Sequence, residues 1–426
     1  MSQKWQSWQV RFTEVVAILM LAIPAMGYAQ AYGPVFPALD ANGVNVSNGS
    51  FVYSNMDVAI GQPGAGGLAY TRYYQSAPNT GWTHNQNGFL TYNGTTCSVV
   101  IGTFVETFTS TGVGCNGTFT SDQQRGATLF YSTSTGVYTY GAADGTTARF
   151  FVITGGKYFL NMTGPVAYLF DVTHPDGEVD TYGYEYSTPI CYPDPEWCYI
   201  TYQYARLSAV SNNLGYRLYF LYSSPPESNV QPYKVIGINS VIESCSASCA
   251  YPWPSATYTY DGSGYPATAV NALGQTTTYS YSSSSLTSIQ FPGGIVNAIN
   301  VAYSYSAPGY RVTSFNRGFG AWTYGYSDSG TDRTTTVTSP DSKTRVHVSE
   351  ISSGRIKRYE NELYQSTNYA YDSAKRNTRV TQPQGNYTEF TYDSRGNVVQ
   401  TRSVSKTAGT PADIVTSAAF PSTCVY

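Results

Sequence analysis

Tyrosine recurs in pairs two residues apart, and this spacing limits what the chain can fold into. The pairs are Tyr182 and Tyr184, Tyr202 and Tyr204, Tyr258 and Tyr260, Tyr279 and Tyr281, Tyr303 and Tyr305, Tyr324 and Tyr326, and Tyr369 and Tyr371. Residues two apart in a strand share a face, so each pair sets two phenol rings on one side. The pairs belong to a larger unit. Tyr260-Asp261 is followed 21 residues later by Tyr281, and Tyr371-Asp372 by Tyr392-Asp393 at the same interval. A turn lies between: Leu273-Gly274 in one copy, Pro383-Gln384-Gly385 in the other. Gly then leads into a strand with aromatics five and seven residues on, as from Gly177 to Tyr182 and Tyr184, Gly274 to Tyr279 and Tyr281, and Gly385 to Phe390 and Tyr392. A unit of this length with two turns is a hairpin. One hairpin cannot bury its apolar face alone, so stacked neighbours are required.

Composition agrees with a folded β body. Of 426 residues, 12% are charged, where about 25% is usual. Aromatics reach 15%, with 41 Tyr, which does not suit a disordered chain. The formal net charge is −3, and no basic stripe marks a nucleic-acid binder. Alternating apolar and polar residues predict strands within 41–53 and 67–74. Shorter ones follow at 97–108, 128–132, 137–140, 148–154, 158–162 and 167–173, with Asp144-Gly145 as a hairpin turn. No stretch beyond the N-terminus shows a helical period.

Lys4 and Arg11 precede an apolar run from Val15 to Ala25, and small residues follow at Gly27, Ala29 and Ala31. This is the pattern of a secretory signal, cleaved after Ala29 or Ala31. The run covers roughly 16 Å as a helix against about 30 Å of hydrocarbon. An uncleaved anchor is the alternative. The seven cysteines fit export. Local pairing joins Cys97 with Cys115, Cys191 with Cys198 and Cys245 with Cys249, leaving Cys424 alone, although six cysteines allow about 15 connectivities. Their spacing does not fit zinc, and no metal or other cofactor is expected.

The repeat resembles the Rhs/YD-repeat family, whose motif reads Tyr-x-Tyr-Asp-x-x-Gly, then a turn, Gly and a Thr-rich strand. The copies are Tyr258-Thr-Tyr-Asp-Gly-Ser-Gly264 with Asn271-Ala-Leu-Gly-Gln-Thr-Thr-Thr-Tyr279, Tyr369-Ala-Tyr-Asp372, and Phe390-Thr-Tyr-Asp-Ser-Arg-Gly-Asn-Val398. Asn45 to Tyr53, Gly67 to Tyr74 and Gly81-Trp82 look like the family's usual opening segment. The resemblance implies an all-β fold of stacked hairpins in a curved or spiralling sheet, part of a hollow shell. It divides the chain into a signal peptide (1–29), an opening segment (30–88), a β-rich N-terminal domain (89–175) and a YD-repeat region (176–426). In bacteria such shells commonly enclose a C-terminal toxin, and related repeats are described as carbohydrate-binding. Full members continue to a core-closing segment with Asp-Pro motifs, whereas here Asp-Pro occurs at Asp194-Pro195, in another context. The resemblance therefore implies the N-terminal part of a shell, with Cys424 parted from a second cysteine. A downstream Rhs chain that completes the shell is the implied partner.

Several residues are candidates for function. Tyr258, Tyr260, Tyr279, Tyr281, Tyr369 and Tyr371 could stack on sugar rings, making a carbohydrate-binding module or adhesin the alternative function. Packing between repeats is the simpler role. Asp261, Asp372 and Asp393, with Gly274 and Gly385, read as repeat-turn residues, since a periodic carboxylate suits an Asx turn better than a glycosidase pair. His84, His174 and His347 lie far apart, and no Gly-x-Ser-x-Gly elbow accompanies them. The Asn-x-Ser/Thr sequons, the first at Asn45 and the last at Asn386, read as compositional. The reading that follows is a secreted, periplasmic or cell-surface structural and interaction protein that is not an enzyme.

Overall fold

The computed structural model describes residues 38–61, 66–76, 81–122, 126–152, 167–186, 205–223, 234–243, 253–294, 298–306, 309–407 and 409–420. The signal segment, the strand expected at 158–162, the pair Tyr202 and Tyr204, and Cys191, Cys198, Cys245, Cys249 and Cys424 lie outside these residues.

The fold is all-β. A small sheet comes first, made of β1 (Val52–Ile60), β2 (Leu68–Gln75) and β3 (Gly81–His84) in antiparallel order. Along β2, Leu68, Tyr70, Arg72 and Tyr74 are buried and the residues between them are not, the period of two that one covered face imposes. A long antiparallel sheet follows. From Thr128–Ser132 onward every strand pairs with the next in sequence, as far as Ile414–Ser417. Sequential hairpins explain this order, because a two-strand unit closed by a tight turn has its nearest partner in the next unit.

The sheet is not closed into a barrel. Among the described residues, Ile414–Ser417 forms a ladder with Val398–Val404 alone. Near its start the sheet curls back: strand Ala167–Thr173 also meets Gly88–Asn93 through Ala167 opposite Leu90 and Tyr168 opposite Phe89. The sheet runs through residue 175 without a break, since Ala167–Thr173 pairs with Val179–Tyr186. Cys97, in strand Thr96–Ile101, is disulfide-bonded to Cys115, in the turn after Phe104–Gly112.

The core lies between the small sheet and one face of the long one. Phe51 and Tyr74 are fully buried there, as are Leu286 and Ile289 of the long sheet. Residues 38–61, 66–76 and 81–84 thus act as a cover laid across the tyrosine-bearing face.

The turns fall on two rims. One rim holds the turns that open on Asp261, Asp372 and Asp393. In each, the carboxylate accepts backbone N–H groups: Ser263 and Tyr265 on Asp261, Arg376 on Asp372, Arg395 and Asn397 on Asp393, all at 2.8–2.9 Å. The other rim holds turns such as Asn271 to Gln275, where the Asn271 Oδ1 accepts from Leu273 and Gln275 at 3.0 Å. Gly274 and Gly385 lie in turns of this rim with φ of 72° and 91°, in the left-handed region that favours glycine.

Candidate functional site

The paired tyrosines divide into two roles. The first of a pair faces the cover. Tyr182, Tyr258, Tyr279 and Tyr324 are each no more than 6% exposed. The Tyr258 hydroxyl donates to Asp57 Oδ2 (2.9 Å), and the Tyr279 hydroxyl accepts from Arg72 Nη2 (2.9 Å). The Tyr324 hydroxyl donates to Asp40 Oδ2 (2.7 Å) and accepts from Asn42 Nδ2 (2.8 Å). Asp57 of β1 and Arg72 of β2 form a buried ion pair, with the guanidinium 4.7 Å from the Tyr258 ring centre and 4.8 Å from that of Trp82. A charge pair so deep is tolerated because most of its hydrogen-bonding capacity is met by Asn55, Tyr258 and Tyr279.

The second tyrosine stitches one hairpin to its predecessor. Tyr184, Tyr222, Tyr260, Tyr281, Tyr303, Tyr326, Tyr371 and Tyr392 donate to the backbone carbonyls of Leu169, Leu207, Val235, Pro266, Leu286, Val312, Ile356 and Asn377 respectively. Every one of these acceptors sits at a register shift in the ladder, just before the extra residue of a β-bulge. A bulge turns a backbone group out of the ladder, and a buried carbonyl needs a partner. The hydroxyl of a later hairpin supplies it.

The sequence pair at 303 and 305 is offset in this scheme. Tyr303 takes the stitching role and Val301, 4% exposed, takes the covered one, while Tyr305 is 68% exposed. The register shift at Ala302/Tyr303 is the one found beside Tyr184, Tyr222, Tyr260, Tyr281, Tyr371 and Tyr392, so Tyr303 keeps the regular stitching place and Tyr305 is a further ring beyond it, on a strand that runs on to Ser306.

The candidate sugar-contacting residues therefore separate. Tyr258 and Tyr279 lie beneath the cover, and Tyr260 and Tyr281 are half-buried with their hydroxyls on carbonyls. Tyr371 is likewise bound to Ile356. Tyr369 stands where the cover ends. It lines an open cleft of about 280 Å³ with Trp322, His347, Tyr359, Asp40 and Arg345. The imidazole of His347 packs against the Tyr359 ring at 5.0 Å, and burial, aided by Arg345, pushes its pKa down to about 4. Arg345 lies 5.5 Å from the centre of the Trp322 ring and is paired with Glu362. Burial raises the Asp40 carboxyl above its usual range despite the Tyr324 hydroxyl and two backbone N–H groups. The cleft thus presents aromatic rings with a carboxyl and a guanidinium at its border.

Trp322, His347 and Tyr359 were not singled out together in the sequence, because the strands that carry them are joined only by the folded register. Asp57 and Arg72 did carry a signal. Arg72 occupies the apolar phase of an alternating strand, where a charge requires a buried partner. Among the described residues no group of three or more His, Cys, Asp and Glu side chains is placed to hold a metal ion, and no helix is long and apolar enough to cross a membrane.

Residues 371–409 match the family model described as RHS Repeat, which bears out the Rhs/YD-repeat reading. No curated protein matches the chain. Among solved structures, the TcdB2-TccC3 crystal structure aligns at 12% identity and a TM-score of 0.39, over 86% of this chain and 22% of that one. The Tc holotoxin pore of Photorhabdus luminescens aligns at 13% and 0.36, over 76% and 19%. The N-terminal domain of effector protein SpvB from Salmonella typhimurium strain LT2 aligns at 11% and 0.24, over 64% and 100%. The chain spans about a fifth of the length of the first two.

Proposed function

For a chain that carries an RHS repeat over residues 371–409, we propose a secreted or cell-surface structural and interaction protein, a partial Rhs-type shell without catalysis of its own. The observation that carries this reading is the internal use of the tyrosine face. Its hydroxyls are bound to bulge carbonyls or to the cover, and the buried carboxylates Asp57 and Asp171 are held by Arg72 and Arg149. Groups committed in this way hold repeats together. The partner proposed is another Rhs-type chain that adds strands beyond Ile414–Ser417, whose residues are all exposed and whose outer edge can accept a further strand. Co-expression with such a chain and sizing of the product tests this. A one-to-one complex supports it, and separate elution of the two folded chains overturns it. Turnover of glycosides or esters by the purified chain would overturn the non-catalytic part.

The cleft beside Tyr369 favours a second reading, binding of a carbohydrate. Flat aromatic rings with polar groups at their edges suit the apolar face and the hydroxyls of a sugar ring. A glycan array with the intact chain and Tyr369→Ala tests it. Binding lost in the variant supports the reading, and no bound glycan with the parent removes it.

A further inference from the structure

The cleft beside Tyr369 continues past Trp322. A second open cavity, of about 500 Å³, lies between the cover and the turn that joins strands Gly309–Asn316 and Ala321–Ser329. Ala41, Asn42 and Trp322 border both spaces. The indole therefore stands between them, and Phe315 lies opposite it across the ladder. Around the second cavity Tyr53 and Ser54 of β1 meet Phe291, Phe315, Arg317 and Phe319.

Two features of this cavity lack a partner within the chain. Phe319 lines it and is nevertheless 94% exposed. The residue is set between Gly318 and Gly320, both left-handed with φ of 94° and 100°. A Cβ on Gly320 would fall 2.7 Å from Pro340 Cβ, so the turn admits no side chain there and fixes the ring at the cavity wall. Arg317 lies 6.0 Å from the centre of the Phe291 ring, and among the described residues no carboxylate pairs with it. The first cleft differs. Its Arg345 is paired with Glu362, and it holds the Asp40 carboxyl. Among the described residues that line the second cavity there is no acid.

We propose that the two cavities form one groove for an acidic oligosaccharide, with neutral rings over Tyr369 and Trp322 and the anionic group of an acidic sugar at Arg317. This rests on the carbohydrate reading of the cleft beside Tyr369 and adds the length and charge of the ligand. From the strand that carries Phe315 to the strand that carries Tyr369 is five strand spacings, roughly 24 Å across the sheet. A single sugar ring cannot touch both ends, and a chain of several rings can. The aromatic walls suit the apolar faces of such rings, and the exposed Ser54 hydroxyl suits their edges. A guanidinium binds a carboxylate or sulfate through two parallel hydrogen bonds. Asp40 repels an anion from the first cleft, which orients the chain with its acidic end at Arg317.

The test is a glycan array of neutral and acidic oligosaccharides of graded length, probed with the full chain and its variants. The parent should bind long acidic chains best, and less well when their carboxyl groups are reduced or the salt is raised. Arg317→Gln should lose at least roughly tenfold on acidic chains and nothing on neutral ones. Phe319→Ala should weaken long chains and leave short ones unchanged. Both side chains are exposed, and an unchanged far-UV spectrum confirms that the variants fold. Neutral glycans bound as tightly as acidic ones, or Arg317→Gln binding as the parent does, overturns the inference. So does Phe319→Ala without effect on long chains, which confines the ligand to the first cleft. In each of these cases loss of binding in Tyr369→Ala leaves the carbohydrate reading standing. No glycan bound by the folded parent removes both.

Discussion

The hydroxyl of Tyr281 donates to the carbonyl of Pro266 at 3.0 Å, and Pro266 is itself the cross-strand partner of Tyr260. Tyr260 in turn donates to Val235, the partner of Tyr222, and Tyr222 to Leu207, the partner of Tyr184. The stitches run from hairpin to hairpin as far as Tyr326, lapse where its strand pairs with Asp332–Thr338 without a register shift, and resume at Tyr371. Tyr281 also accepts from the indole N–H of Trp82 at 2.8 Å. Tyr281→Phe leaves both groups without that partner and should cost about 1–3 kcal/mol in urea unfolding. Tyr305→Phe removes an exposed hydroxyl and should stay within about 0.5 kcal/mol of the parent.

Arg72→Met strands the Asp57 carboxylate beneath the cover, and a loss of about 3–5 kcal/mol is expected. Pairing it with Asp57→Leu removes the orphaned charge and should recover much of that loss. Chemical denaturation of the three proteins measures the difference. Equal stability of the two variants would show that the pair does not act as a unit.

His84 is enclosed by Tyr70 and Phe220, with ring centres 5.2 and 5.8 Å away. Its Nδ1 finds no hydrogen-bond partner among the described residues, and burial lowers its pKa to about 4. His347 is lowered to a similar value. An unfolded chain takes up these protons near pH 6.5. The contribution of each neutral histidine is therefore fully present above that pH and declines as pH falls, levelling off near pH 4. The slope is up to about 1.4 kcal/mol per pH unit for each histidine. His84→Phe should flatten the stability profile between pH 5 and 6.5; an unaltered slope would count against a neutral buried imidazole.

Lys375 occupies the left-handed position (φ 65°) that Gly264 and Gly396 fill in the matching turns. A side chain there costs about 1–2 kcal/mol, and glycine returns some of that through the freedom of the unfolded chain. Lys375→Gly should raise stability by about 0.5–1 kcal/mol, read as an increase in the denaturant midpoint.

Much of this was legible in the sequence because it is local. The Tyr-x-Tyr spacing gives a shared strand face, and Asp261 and Asp393 give turns whose side chains bind their own backbone. The division of labour within each pair was not legible. It depends on where each bulge falls, which carries no compositional mark, and that place makes Tyr303, the first of its pair, the stitching residue. The cover was out of reach for another reason. Arg72 and Tyr279 are 207 residues apart, and nothing in a strand of alternating polarity names a partner at that distance. The cleft beside Tyr369 is a boundary effect, present because Asp40 and Asn42 reach Tyr324 and the cover extends no farther into the described strands.

The tyrosine stitches give the sheet a polarity. In each the donor belongs to the later hairpin and the acceptor to the earlier one. A hairpin newly released from a ribosome therefore arrives with the group that finishes its predecessor, and leaves its own bulge open for its successor. Growth can proceed in the order of synthesis, with the unmet carbonyl of each bulged hairpin at the advancing front. The same asymmetry makes the two ends of a cut sheet unequal: one exposes an unanswered acceptor, the other an idle hydroxyl.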